Sequence, residues 1–173
     1  MSFLERLRAT PATVDYLLWP GDFSLDAYSH VEDVVLASGE ALEEVAKCGA
    51  GGTFFLCGDG GDERPVLYAD SEGGAALMAV GLEEAVGLLL ALPWWRDCRR
   101  LTEEESAAAA EDYLADEPDL LADRDAAAAA IGLEVPTVAE ALGRLREAVF
   151  GLGPSYVLLN AAEGNAYEPL FRA

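Results

Sequence analysis

The stretch GGTFFLCGDGGDERPVLYADSEGGAALMAVGLEEAVGLLLALP, residues 51–93, decides the fold. Thr53 to Cys57 is a run of β-branched and aromatic residues followed by the turn cluster DGGDER, which predicts a strand and a tight turn. Pro65 to Ala69 (PVLYA) reads as a second strand, with proline at its first position, where a missing N–H is tolerated. A second turn, DSEGG, leads to a third short strand over Ala75 to Val80. Strands joined by tight turns make an antiparallel meander, because βαβ units need long crossovers. Leu82 to Leu92 is then a helix, apolar around most of its circumference and stopped by Pro93. Such a helix is expected to lie buried against the sheet.

Outward from this centre the signals are local. Residues 3 to 9 form a helical turn, and Ala12 to Trp19 is an apolar run closed by Pro20 and Gly21, of a type that periodicity alone leaves open. Ser38 is an N-cap for GEALEEVAKCG, with Leu42, Val45 and Ala46 on one face and Gly49 past its end, so a helix is predicted there. Downstream, Thr102 and Glu105 form a capping-box pattern, and Glu103 and Glu104 sit where the helix dipole favours negative charge. A second helix follows Pro118 and ends near Gly132, and Thr137 with Glu140 opens a third that runs to about Phe150. Ser155 to Leu159 reads as a final strand, with the GNAYEPLF tail covering a sheet edge. No repeat or linker divides the chain. It reads as one α+β domain over residues 1–173, an antiparallel meander sheet packed by helices, with an additional acidic helical section in the C-terminal half.

Acidic residues number 32 against 11 basic ones, a formal net charge of −21, while 52% of residues are hydrophobic. That apolar content excludes a disordered acidic tail. The charge argues against direct binding to nucleic acid, whose phosphates it would repel, and against an anionic membrane surface. No apolar stretch reaches the ~18 residues of a membrane span, and MSFLERLRAT lacks the apolar core of a secretory signal. Cys48, Cys57 and Cys98 are odd in number and widely spaced, which fits structural thiols in a reducing cytoplasm rather than disulfides or a zinc site.

Catalytic patterns are absent. His30 is the only histidine, and with Ser29 beside it in DAYSHVED it reads as a surface or capping residue rather than a catalytic base. GAGGTFFLCGDGG lacks the Lys-Ser/Thr of a phosphate loop and precedes a strand instead of a helix. DGGDE resembles a calcium loop only in composition: with Asp59 as the first position, Arg64 falls where glycine is required. It reads as a solvated hairpin tip. No cofactor, metal or catalytic residue is expected.

Two features point to binding. Between Thr102 and Asp125 stand ten acids and a single basic residue, Arg124. Glu103, Glu104, Glu105, Glu111, Asp112 and Asp116 are the candidate contacts; the run is either a solvated helical face or an acidic ridge that meets a basic surface. Trp94 and Trp95 sit beside Arg96, Arg99 and Arg100, and adjacent tryptophans do not easily both point inward. The pair therefore reads either as one exposed tryptophan beside arginine, an interface composition, or as a core plug with a cation–π contact.

The order GGTFFLCG (51–58), PVLY (65–68), SEG (71–73) and Leu82-x-x-Ala85-x-x-x-Leu89 resembles the SUKH superfamily, which includes many bacterial immunity proteins and a fungal regulator of cell-wall synthesis. The resemblance covers residues 42–97, about a third of the chain. It implies a non-catalytic cytoplasmic binding protein, an immunity protein whose acidic surface neutralises a basic toxin such as a nuclease. The competing expectation is a regulatory or scaffold domain whose acidity serves solubility only. The single lysine, Lys47, among eleven basic residues suggests GC-rich coding or salt adaptation.

Overall fold

Successive residues of a strand face opposite sides of its sheet, so a strand buried at every position needs cover on both faces. The computed structural model, which describes residues 1–26 and 29–173, supplies that cover in layers. Helices α1 (Phe3–Arg8) and α2 (Pro11–Leu18) precede strands β1 (Val34–Leu36), β2 (Leu42–Lys47), β3 (Thr53–Cys57), β4 (Val66–Ala69) and β5 (Gly74–Ala79). Helix α3 (Leu82–Ala91) leads through a 3₁₀ turn at Trp95–Asp97 to α4 (Glu103–Asp116), α5 (Leu120–Ile131) and α6 (Val138–Arg146). A π-helical turn over Glu147–Leu152 continues α6, and β6 (Leu158–Asn160) and β7 (Glu168–Pro169) follow. The fold is α+β.

The main sheet has the order β2-β3-β4-β5-β7, antiparallel through its first four strands, with β7 parallel to the β5 edge. Strands β1 and β6 form a separate antiparallel pair. One face of the main sheet presents Phe54, Leu56, Val66, Tyr68 and Met78 to a core shared with α3 and with Ile131, Leu142 and Leu145 of the later helices. The other presents Phe55, Cys57, Leu67, Ala69 and Leu77 to Leu36 of β1 and Leu158 of β6. All side chains of β3 and β4 are accordingly buried. The tail pairs with β5 at Gly74↔Glu168 and Ala75↔Pro169, so it does cover an edge.

The expected helix over 38–49 is a strand. Leu42–Lys47 pairs with β3, and the register skips Val45, a bulge that places one extra residue in β2. Val45 and Ala46 are thereby buried consecutively. The bulge breaks the alternation of a regular strand and leaves apolar residues spaced 3 and 1 apart, the same spacing a helix face would show. The final strand, expected over Ser155 to Leu159, runs over Leu158–Asn160 and pairs with β1 on the second face. The Thr102–Glu105 and Thr137–Glu140 capping boxes are both formed, and a third caps α1 through Ser2 and Glu5.

Phe54 is wholly buried between Phe23 and Tyr68, with ring centroids at 4.8 and 4.9 Å. Phe54→Ala is expected to lower the unfolding free energy by ~3–5 kcal/mol. Val35→Ala, at an exposed position of β1, should change it by ~0.5 kcal/mol or less. Urea titration of the two variants checks the contrast.

Candidate functional site

Helix α4 starts where Thr102 Oγ1 accepts from the Glu105 amide at 3.2 Å. Glu105 itself is occupied: its carboxylate accepts from the Arg100 and Thr102 amides at 2.9 and 3.2 Å. Partial burial pushes that carboxyl's pKa up, but these backbone bonds outweigh it and hold it below its ordinary value. Glu105 is thus a cap more than a free contact. Glu103, Glu104, Glu111, Asp112 and Asp116 are exposed, with Ala107 and Ala108 exposed between them. At ~1.5 Å per residue, Glu103 and Asp116 stand ~20 Å apart, so α4 carries two acidic patches with a methyl-lined gap. On α5, Asp123 and Asp125 are exposed, and Arg124 is drawn onto Asp125 at 2.8 Å.

The tryptophans correct the sequence reading. Trp94 and Trp95 are both buried, at 4% and 0% exposure. Residues of a 3₁₀ turn leave the axis about 120° apart, so neighbours can enter different parts of the interior. Trp94 Nε1 donates to Ser106 Oγ on α4 at 2.9 Å, and its ring meets Tyr113 edge-on. Trp95 packs on Tyr68 and Phe171. The exposed tryptophan is Trp19, at 60%, at the end of α2. It stacks on Tyr113 with centroids 6.4 Å apart, and its Nε1 donates to Glu117 at 3.4 Å. The signal was periodic: Thr13, Tyr16 and Leu17 form the buried stripe of α2, which leaves Leu18 and Trp19 off it. An exposed aromatic beside a carboxylate, here Glu117, has the composition of an interface anchor.

Beneath this face lies a semi-buried node. Arg96 donates to Asp22 Oδ2 at 2.6 Å and Tyr68 Oη at 2.8 Å, and it lies over the Tyr68 ring at 5.2 Å. Burial works against its charge, but Tyr68, Asp22 and Cys48 outweigh it and its pKa is raised. Gly52 is required here, since a Cβ at that position would approach Tyr68 Cζ to 2.8 Å. A groove of about 380 Å³ opens beside Arg96, lined also by Trp94, Asp97 and Tyr113 and by the Asp70–Glu72 turn.

His30 is buried rather than at the surface. Lys47 Nζ donates to Thr53 Oγ1 at 2.8 Å, and Thr53 lies 2.8 Å from His30 Nδ1. His30 Nε2 lies 3.1 Å from Tyr167 Oη, which donates to Glu32. Each hydroxyl has one proton, so the chain has one direction: Thr53 donates to Nδ1, and Nε2–H donates to Tyr167. The neutral imidazole links β2, β3 and the C-terminal tail. Burial and then Lys47 lower the His30 pKa, against Glu32, Glu44 and Asp70.

Other chemistry is muted. The three cysteines are free and buried, and burial pushes the Cys57 and Cys98 thiols up to about 12 and about 11. Both therefore stay protonated and unreactive near neutral pH. Among the described residues no group of three or more His, Cys, Asp or Glu side chains is placed to hold a metal ion. No helix among them is long and apolar enough to cross a membrane. Comparison with known proteins found no matching family model, curated protein or solved structure.

The His30 linkage has a definite sign. Its folded pKa lies below the unfolded value of ~6.5, so the unfolded chain binds the proton more readily. The stability from the neutral chain of bonds is complete above pH ~6.5 and is lost as pH falls towards the lower folded value. His30→Gln should flatten the slope of unfolding free energy between pH 7 and 5, measured by denaturant titration at each pH.

Proposed function

We propose that this chain is a non-catalytic binding protein of the SUKH immunity type, which occludes a basic toxin, such as a nuclease, with its acidic surface. The observation that carries the reading is Trp19, exposed, stacked on Tyr113 of the acidic helix α4 and hydrogen-bonded to Glu117 just past that helix's end. Aromatic anchors supply contact area with little loss of side-chain entropy, and rim carboxylates speed encounter with a positive surface. A partner's phosphate-binding face has the complementary charge. The residue pattern over 42–97 supports the family, and the free, buried thiols support a reducing cytoplasm.

A second reading is favoured by how evenly the charge is spread. Residues 1–100 carry 17 acids and 7 bases, and residues 101–173 carry 15 and 4. This suits a regulatory or scaffold domain whose acidity serves solubility.

The experiment is co-purification with the product of the neighbouring gene, followed by titration of the complex at several salt concentrations. Trp19→Ala and the triple variant E111K/D112K/D116K are each expected to weaken the complex at least tenfold, about 1.4 kcal/mol. The triple variant should also flatten the salt dependence. A protein that captures no basic partner, or variants that leave the affinity unchanged, would favour the solubility reading.

A further inference from the structure

Tyr113 separates two surfaces. One side of its ring carries Trp19, and the residue also walls the groove of about 380 Å³ between the 3₁₀ turn and the β4–β5 turn. Pro93, Trp94, Leu170 and Phe171 make the rest of that wall aromatic and apolar. The charged groups of the groove are unequal. Arg96 is engaged by Asp22 and Tyr68, so it offers no unbalanced positive charge to an anion. Asp70 directs Oδ1 to the amides of Glu72 and Gly74 at 2.9 and 2.7 Å, which leaves Oδ2 open. Asp97 and Glu72 are exposed residues of the lining, with Arg99 the remaining cation.

Three carboxylates against one guanidinium with no ion pair among the described residues draw a cation. Flat aromatic walls beside carboxylates select guanidinium over ammonium, because arginine stacks on rings and pairs with carboxylates through two parallel bonds. The volume is at the small end of the ~300–1,000 Å³ of ligand pockets, which suits a side chain.

We propose that the groove bounded by Asp97, Tyr113 and the Asp70–Glu72 turn receives one arginine side chain of the basic partner. The inference rests on the reading of α4–α5 as a partner-binding face and extends it by naming the residue recognised. Trp19 and the groove then grip the partner on both sides of Tyr113, while the exposed acids of α4 guide its approach.

The test uses the full chain and ¹H–¹⁵N spectra, titrated with N-acetyl-arginine amide, its lysine counterpart and its neutral citrulline counterpart. The arginine compound is expected to give saturable shifts at the Trp94 indole N–H and the Tyr113 amide. The lysine compound should bind at least threefold more weakly, and citrulline should give no saturable response. Asp97→Asn removes a carboxylate that makes no side-chain bond among the described residues, and it should weaken the arginine compound at least fivefold. Asp70→Asn keeps the Oδ1 acceptor and should act in the same direction. Glu134→Gln, the same loss of charge away from the groove, should stay within twofold. Absence of saturable shifts at Trp94 and Tyr113, equal binding of citrulline, or equal effects of Asp97→Asn and Glu134→Gln would overturn the proposal. An octa-arginine peptide separates the two levels: weakening by E111K/D112K but not by Asp97→Asn leaves the face standing and removes the groove. Weakening by neither removes both.

Discussion

The molecule depends on covering two strands that bury every side chain they carry. β3 and β4 have no polar face, so the sheet is stable only with a layer on each side. The helical layer forms around α3, whose side chains are nearly all buried. The opposite layer is the β1–β6 pair, which joins residues 34–36 to residues 158–160. Because one strand of that pair comes from each end of the chain, the second face cannot be covered until both ends have docked. The acidic helices lie between these two contributions in sequence, and Trp94, bonded to Ser106, ties α4 to the end of α3. The candidate face is therefore carried on a braced platform, which keeps the ordering cost of binding low.

Electrostatics follow a different logic. Arg64–Glu43, Arg96–Asp22 and Arg124–Asp125 are the ion pairs among the described residues. Solvent-exposed pairs such as Arg124–Asp125 contribute ~0–1 kcal/mol. Pairing therefore removes little of the net charge of −21, and the fold tolerates the repulsion through its apolar layers. Arg96 differs from the other two because it is held by a carboxylate, a phenol and an aromatic face together. It joins the segment after α2 to the sheet and to the turn after α3.

The centre of the chain was legible because its signals are local. Thr53–Cys57 coincides with β3, proline marks the residue before β4, and Thr102 and Thr137 cap the helices they were expected to cap. Residues 42–47 were misleading because the bulge at Val45 replaces the period of a strand with the spacing of a helix. The site was less legible. That α4 exposes its acids follows from its sequence, but a 3₁₀ turn that sends Trp94 and Trp95 to different parts of the interior leaves no periodic trace. The chain of bonds through His30 joins residues 30, 53 and 167, a separation at which no sequence pattern operates.

The bulge in β2 has a consequence for the life of the molecule in a crowded solution. A sheet this apolar invites another copy to add a strand at an open edge. At one edge stands β7, only two residues long and containing Pro169, which has no N–H to offer. At the other, β2 is twisted by its bulge, turns Glu43 and Glu44 to solvent, and is bridged at Lys47 by Ser24. Both borders are thus closed to growth, so a chain that is half hydrophobic is protected against templating its own aggregation.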